Sequence, residues 1–216
     1  MYIYFPSCNF QKQFPDTARK IRSWLSTQPD VTIAGCCKAT YSLPAPGDTI
    51  VTICLSCMHL LEEARPDVPH ISFFEFLLTR NDFPWPDMHL EDITIQDCFR
   101  ARHHHALQSA VRECLQRINA NIIEMDHNKD DELYDGSFLF HPAYPSNIEM
   151  APGYFKEYLQ NYITIIPQEK WKGLFEEHAR LYKTARIACY CNVCTSAAVE
   201  GGAEALHLAE LIFAKF

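Results

Sequence analysis

The chain has 216 residues, 48% of them hydrophobic and 21% charged, a balance typical of globular proteins with one sizeable core or two small ones. Nineteen basic against 27 acidic side chains give a formal charge of −8, which argues against nucleic acid or an anionic membrane as the main partner. No apolar run approaches the roughly 18 residues of a membrane span, and Met1-Tyr-Ile-Tyr-Phe-Pro6 lacks the features of a signal peptide, so a cytoplasmic protein is expected.

Tyr2–Phe5 reads as a short strand that runs into a polar turn at Pro6-Ser7-Cys8. A helix is expected from Asp16 to Thr27, with Ile21, Trp24 and Leu25 on one side. Val31–Ala34 is the next strand and ends at Gly35-Cys36-Cys37, after which Pro44, Pro46 and Gly47 mark a loop. Thr49–Ile53 is rich in β-branched residues and reads as a third strand, and Cys54-Leu-Ser-Cys57 opens a helix reaching Ala64. Ile71–Phe74 is a fourth strand or the entry to another helix. Pro84 and Pro86 mark a boundary, so the expected domains are 1–87 and 88–216.

The pattern then restarts. Asp92–Gln96 reads as a strand, Cys98 follows it, and a helix is expected from His103 to Ile118. Asn121–Met125 is a further strand and Gly136–Phe140 a short extended segment. Glu169–Lys183 reads as a helix with Trp171, Leu174, Phe175, His178 and Leu181 on one side. Ile187–Tyr190 is a strand, and Cys191-Asn-Val-Cys194 opens the helix after it.

Strands alternating with helices imply parallel pairing, with the loops that bind ligands at the carboxyl ends of the strands. The halves also repeat: Thr49 to Cys57 corresponds to Arg186 to Cys194, and His70 to Leu77 corresponds to Ala205 to Ile212. The expected fold is therefore α/β, built from two pseudo-repeated Rossmann-like units with short parallel sheets and cysteines at the strand ends.

Ten cysteines are the anomaly, since about 5% is below the roughly 8–10% of a disulfide scaffold. In a reducing compartment they point to metal or redox chemistry instead. Cys54 and Cys57 stand at a strand-to-helix turn, where free N–H groups favour the thiolate. Cys8, Cys36 and Cys37 bring the first set to five sulfurs. Four satisfy zinc or a cubane cluster, and five suggest something larger.

Tyr4-Phe5-Pro6-Ser7-Cys8, Gly35-Cys36-Cys37 and Cys54-x-x-Cys57 together resemble the cysteine-rich CCG domain. That domain occurs in the B subunit of heterodisulfide reductase and in iron–sulfur subunits of lactate and glycolate oxidation systems. Asp97-Cys98-Phe-Arg-Ala-Arg102 with Ala110-Val-Arg112-Glu113, and Cys191-x-x-Cys194 through Leu208-Ala-Glu-Leu211, resemble its second motif. The resemblance implies an oxidoreductase or a subunit of one, with a non-cubane iron–sulfur cluster on Cys8, Cys36, Cys37, Cys54 and Cys57. It also implies partner oxidoreductase subunits, either iron–sulfur or flavoprotein, and a thiol, disulfide or small organic substrate. Lys38 stands where the family has glycine, the stretch between Cys37 and Cys54 is short, and Ser137-Phe-Leu-Phe-His-Pro142 replaces the second cysteine pair.

Cys98, Cys191 and Cys194 remain, with Cys189 close by and His141 beside the lost pair. Three thiolates with one histidine or a fourth thiolate would suit zinc. Two rival readings follow: a zinc-binding structural or regulatory module, and a metal-free thiol–disulfide enzyme using Cys54/Cys57 or Cys191/Cys194. Cys114 reads as a small core residue. His103-His-His105 reads as a solvated helix start, because consecutive residues face different sides of a helix. No phosphate loop, dinucleotide fingerprint or serine-type triad is present.

Overall fold

The computed structural model describes residues 1–216. The chain divides into two compact units, 1–79 with 142–163, and 80–141 with 164–216. The sequence reading places a single division after residue 87.

In the first unit, β1 (Tyr2–Phe5) leads into the short helix α1 (Cys8–Gln13) and then α2 (Pro15–Leu25). Strand β2 (Val31–Ile33), the single-turn helix α3 (Cys37–Thr40), β3 (Thr49–Thr52), α4 (Leu55–Ala64), β4 (His70–Ser72) and α5 (Phe73–Leu78) complete it. The strands pair in the order β2-β1-β3-β4, all parallel. Both faces of a parallel sheet are covered, which explains the continuous apolar runs. Ile3, Tyr4, Phe5, Ile50 and Val51 are buried, as are Ile21 and Leu25 of α2 and Phe73, Phe74, Phe76 and Leu77 of α5.

The second unit repeats this order. Strand β5 (Asp92–Gln96), α6 (His105–Arg117) and β6 (Asn121–Glu124) come first. The chain next forms α7 (Pro145–Met150), which groups with the first unit together with the rest of 142–163. Within that unit the Glu63 carboxylate accepts hydrogen bonds from the backbone N–H of Gly153 (2.8 Å) and Tyr154 (3.0 Å), and His59 stacks on Tyr154 at 3.5 Å. Helix α8 (Trp171–Ala179), β7 (Arg186–Cys189), α9 (Asn192–Glu200), β8 (Glu204–His207) and α10 (Leu208–Ile212) finish the chain. These strands pair in the order β6-β5-β7-β8, again all parallel. The fold is α/β with two similar units, as expected.

The repeat extends to the helix caps. Ser72 and Glu75 form a reciprocal capping box at the start of α5, and His207 with Glu210 does the same for α10. Two expected elements differ. Phe138–Phe140 forms a 3-10 turn where an extended segment was expected, because Phe-Leu-Phe is too short a run to fix a period. The helix expected over 169–183 becomes a 3-10 turn at Gln168–Lys170 followed by α8, which stops before Arg180. Beyond it the chain turns to bond β5: Thr184 Oγ1 accepts from the Thr94 N–H at 2.8 Å, and Lys183 N–H donates to Thr94 Oγ1. No helix is long and apolar enough to cross a membrane.

The close approach of α8 and α9 gives a paired test. A Cβ on Gly201 would lie 2.5 Å from the Phe175 carbonyl oxygen, whereas one on Gly173 meets nothing within 4 Å. Gly201→Ala is expected to lower stability by about 1–3 kcal/mol. Gly173→Ala, in an exposed stretch of α8, is expected to raise it by roughly 0.5–1 kcal/mol. Urea unfolding followed by circular dichroism measures both.

Candidate metal centres

In each sheet the chain moves one way from the first strand and the other way from the third, so a switch point lies between β1 and β3 and between β5 and β7. Crevices outside the strand carboxyl ends at such points are where α/β sheets bind ligands. Phe5 is paired with Thr52, and Cys8 and Cys54 follow within three residues. Gln96 is paired with Cys189, and Cys98 and Cys191 each follow two residues later. Cys8, Cys54, Cys98 and Cys191 are therefore delivered by central strands, whereas Cys36 and Cys37 follow the edge strand β2.

The first group lies in the first unit. Ser7 adopts φ +57 and its hydroxyl caps α1, which begins at Cys8. Cys36 is the N-cap of α3 and Cys37 its first residue; Cys54 is the N-cap of α4, and Cys57 sits in its first turn. Cys37 and Cys57 share a hydrogen bond between sulfurs 3.3 Å apart. Cys57 also interacts with Cys54, and Cys8 with Cys36 and Cys37. All five sulfurs predicted from sequence thus belong to one neighbourhood, and none is in a disulfide.

Their protons are unevenly held. Hydrogen bonds to Cys37 and Cys54, then burial, push the Cys57 thiol well up. Cys37 moves down, chiefly through its hydrogen bond with Cys57 and also through the Lys38 ammonium. Burial and the bond to Cys36 raise Cys8. Cys37 and Cys57 are buried, Cys36 and Cys54 half-buried, and Cys8 exposed, so the group opens to the surface.

The second group lies in the second unit and is closed. One ligand atom each from Cys98, Asp135, Cys191 and Cys194 lies within 4.8 Å of the others, and all four residues are buried. Cys98 Sγ donates to Asp135 Oδ1 at 3.0 Å. Arg100, only 2% exposed, donates through Nε to both Asp135 oxygens at 2.9 Å and through a terminal nitrogen to Cys191 Sγ at 3.1 Å. Its guanidinium lies 3.9 Å from the centre of the Phe138 ring.

Burial pushes the Cys98 and Cys194 thiols well above their ordinary value. It acts on Cys191 the same way, but hydrogen bonds from Cys194 and Cys98 and the Arg100 charge outweigh it and hold this thiol well below. Burial also raises the Asp135 carboxyl to about 7, against the pull of Arg100.

Two residues suggested by the sequence stand outside this group. Cys189 ends β7 and is fully buried, which raises its thiol. His141, half-buried, leaves the Phe138–Phe140 turn toward Phe138 and Trp171. The fourth position falls to Asp135, which the sequence reading missed together with Arg100. The available signal was Asp135-Gly136, a turn dipeptide. Gly136 has φ +55, and a Cβ there would lie 2.6 Å from the Val193 carbonyl oxygen, so the Asp135 turn packs directly on Cys191-Asn-Val-Cys194.

The arginines at motif positions serve the frame. Arg112 pairs with buried Asp97 at 2.6 Å and with Glu124 at 2.7 Å, and Tyr190 OH donates to Asp97 at 2.7 Å. Removing one partner of such a pair costs about 3–5 kcal/mol. Cys114 is buried in α6, in keeping with a core role.

A cavity of about 600 Å³ beside this frame is lined by Met125, Glu132, Leu133, Tyr134, His178 and Leu181, among others. Gln96 Nε2 donates to Glu132 and to the Asp97 carbonyl, which turns Oε1 toward His178 Nε2 at 2.7 Å. That fixes the His178 proton on Nε2 and leaves Nδ1 as the acceptor nitrogen.

Burial lowers His178 and His207 to about 4. A histidine depressed in the folded state stabilises the fold above its unfolded value near 6.5, and this is lost as pH falls toward 4. Asp135 acts with the opposite sign, its contribution fading as pH rises toward 7. The His207 part is isolated by His207→Asn, which keeps an acceptor for the Ala209 N–H. With thiols reduced and a chelator present, the wild type is expected to lose about 2–3 kcal/mol more than the variant between about pH 6.5 and 4. Urea unfolding across that range measures the difference.

No protein-family model matches the sequence, and neither a curated protein nor a solved structure shows a significant match to it.

Proposed function

We propose that the chain is an iron–sulfur redox subunit resembling the B subunit of heterodisulfide reductase, with the cluster on Cys8, Cys36, Cys37, Cys54 and Cys57. The observation that carries this reading is the meeting of five unbridged cysteines, from three separate chain segments, at the switch point of the first sheet. The donor set fits. Five sulfurs exceed the four positions of zinc, and the helix starts after Cys36 and Cys54 favour thiolate there.

When bound, such a cluster supplies one-electron transfer and iron able to take a substrate sulfur. The chain does the rest. Cys37 and Cys57 form the buried floor, while exposed Cys8 and half-buried Cys36 and Cys54 leave a side open to a thiol, disulfide or small organic molecule. Lys38, beside the pair, offsets part of the thiolate charge. Electrons pass to or from a partner oxidoreductase in a reducing compartment, the cytoplasm.

The second group suits a single zinc ion on Cys98, Cys191, Cys194 and Asp135, a closed set of four with no position left for substrate. Arg100 would hold Asp135 and Cys191 from outside the coordination shell and balance charge.

Anaerobic purification with iron, sulfide and zinc analysis and electron-spin spectroscopy tests both assignments. Iron with sulfide is expected, and Cys54→Ser or Cys37→Ser is expected to remove most of it. Absence of iron after anaerobic reconstitution, or zinc alone at both sites, would refute the redox reading. Zinc is expected to be lost in Cys191→Ser and held about 10–100-fold more weakly in Arg100→Leu.

A further inference from the structure

His103 and His105 do not face different sides of a helix, because α6 begins only at His105. His103 lies before it with φ +67, in the left-handed region, and both imidazoles meet the loop that carries Asp130. His105 Nε2 is 2.7 Å from Asp130 Oδ2, and His103 Nδ1 is 3.5 Å from the same oxygen.

We propose that His103, His105 and Asp130 form a surface site for a divalent first-row transition ion such as zinc, cobalt or iron(II). One ligand atom from each residue lies within 4.8 Å of the other two. Metal bonds of about 2.1 Å place neighbouring ligands roughly 3.0–3.4 Å apart, and the observed 2.7 and 3.5 Å bracket that span. Two imidazoles and a carboxylate are the nitrogen–oxygen set that such ions take with positions left open.

The carboxylate is preset for this use. Asp130 Oδ1 accepts from the His103 N–H at 2.8 Å and from Gln108 Nε2 at 3.0 Å, which leaves Oδ2 to the imidazoles. Arg102 Nε donates to the Asp130 carbonyl at 2.6 Å. The preceding residue is tied as well, since Lys129 N–H donates to buried Asp97 at 2.9 Å. Outer bonds of this kind orient metal-ligating carboxylates. His103 and His105 are 66% and 72% exposed, so an ion enters directly from solvent and the remaining positions hold water or a small ligand. With no sulfur in the set, the site differs in kind from both cysteine groups, and it stands whether or not the chain is a redox subunit.

Cobalt(II) is the probe, because its spectrum separates ligand types. It would be titrated into the protein as purified and into His103→Asn, His105→Ala and Gln108→Ala, with circular dichroism confirming the fold. Asparagine tolerates the left-handed conformation at 103. The expected result is one cobalt per chain with the weak absorption of nitrogen and oxygen ligation. That signal should disappear in either histidine variant and weaken about tenfold or more in Gln108→Ala. No uptake, uptake showing only sulfur-to-cobalt charge transfer, or a nitrogen–oxygen signal unchanged in both histidine variants would overturn the proposal.

Discussion

Parallel pairing is the constraint on which the rest depends. It makes every strand of a sheet end on the same edge, and crossovers leaving in opposite directions open a gap between the two central strands. A residue placed just after a central strand has nowhere else to go. This holds in both units, so each collects cysteines through the same backbone geometry, with helix starts supplying N–H groups nearby.

What the two crevices do with that geometry differs through charge. In the first, thiols accumulate with Lys38 as the neighbouring cation, and the solvent-facing side keeps the charge tolerable. In the second, three thiols stand with the Asp135 carboxyl, and Arg100 enters from the turn after Cys98. A buried carboxylate and a buried thiolate are each costly alone. Shared around one guanidinium, whose Nε meets both Asp135 oxygens and whose terminal nitrogen meets Cys191, they become compatible with complete burial.

Much of this was legible in the chain. Strands such as Thr49–Thr52 and Asp92–Gln96 announce themselves through β-branched residues, and every cysteine of the first group follows a strand by a few positions. The correspondence of His70–Leu77 with Ala205–Ile212 survives down to equivalent caps. The missing parts all depend on loops. Asp135 lies 37 positions from Cys98, joined to it by a hydrogen bond that no local pattern encodes. His103 escaped because one left-handed residue reverses the direction that helical spacing would assign. The grouping of 142–163 with the first unit rests on Glu63 accepting two backbone N–H groups 90 and 91 residues away.

The closed second crevice has a kinetic consequence. Cys98 and Cys194 have no solvent-exposed surface at all, so whatever occupies that position can trade with bulk solution only when the surrounding segment transiently opens. Exchange there is governed by the rate and free energy of that opening, not by the occupant's intrinsic off-rate. The first crevice has no such gate. The two halves of one chain, built on the same topology, would therefore run on separate clocks.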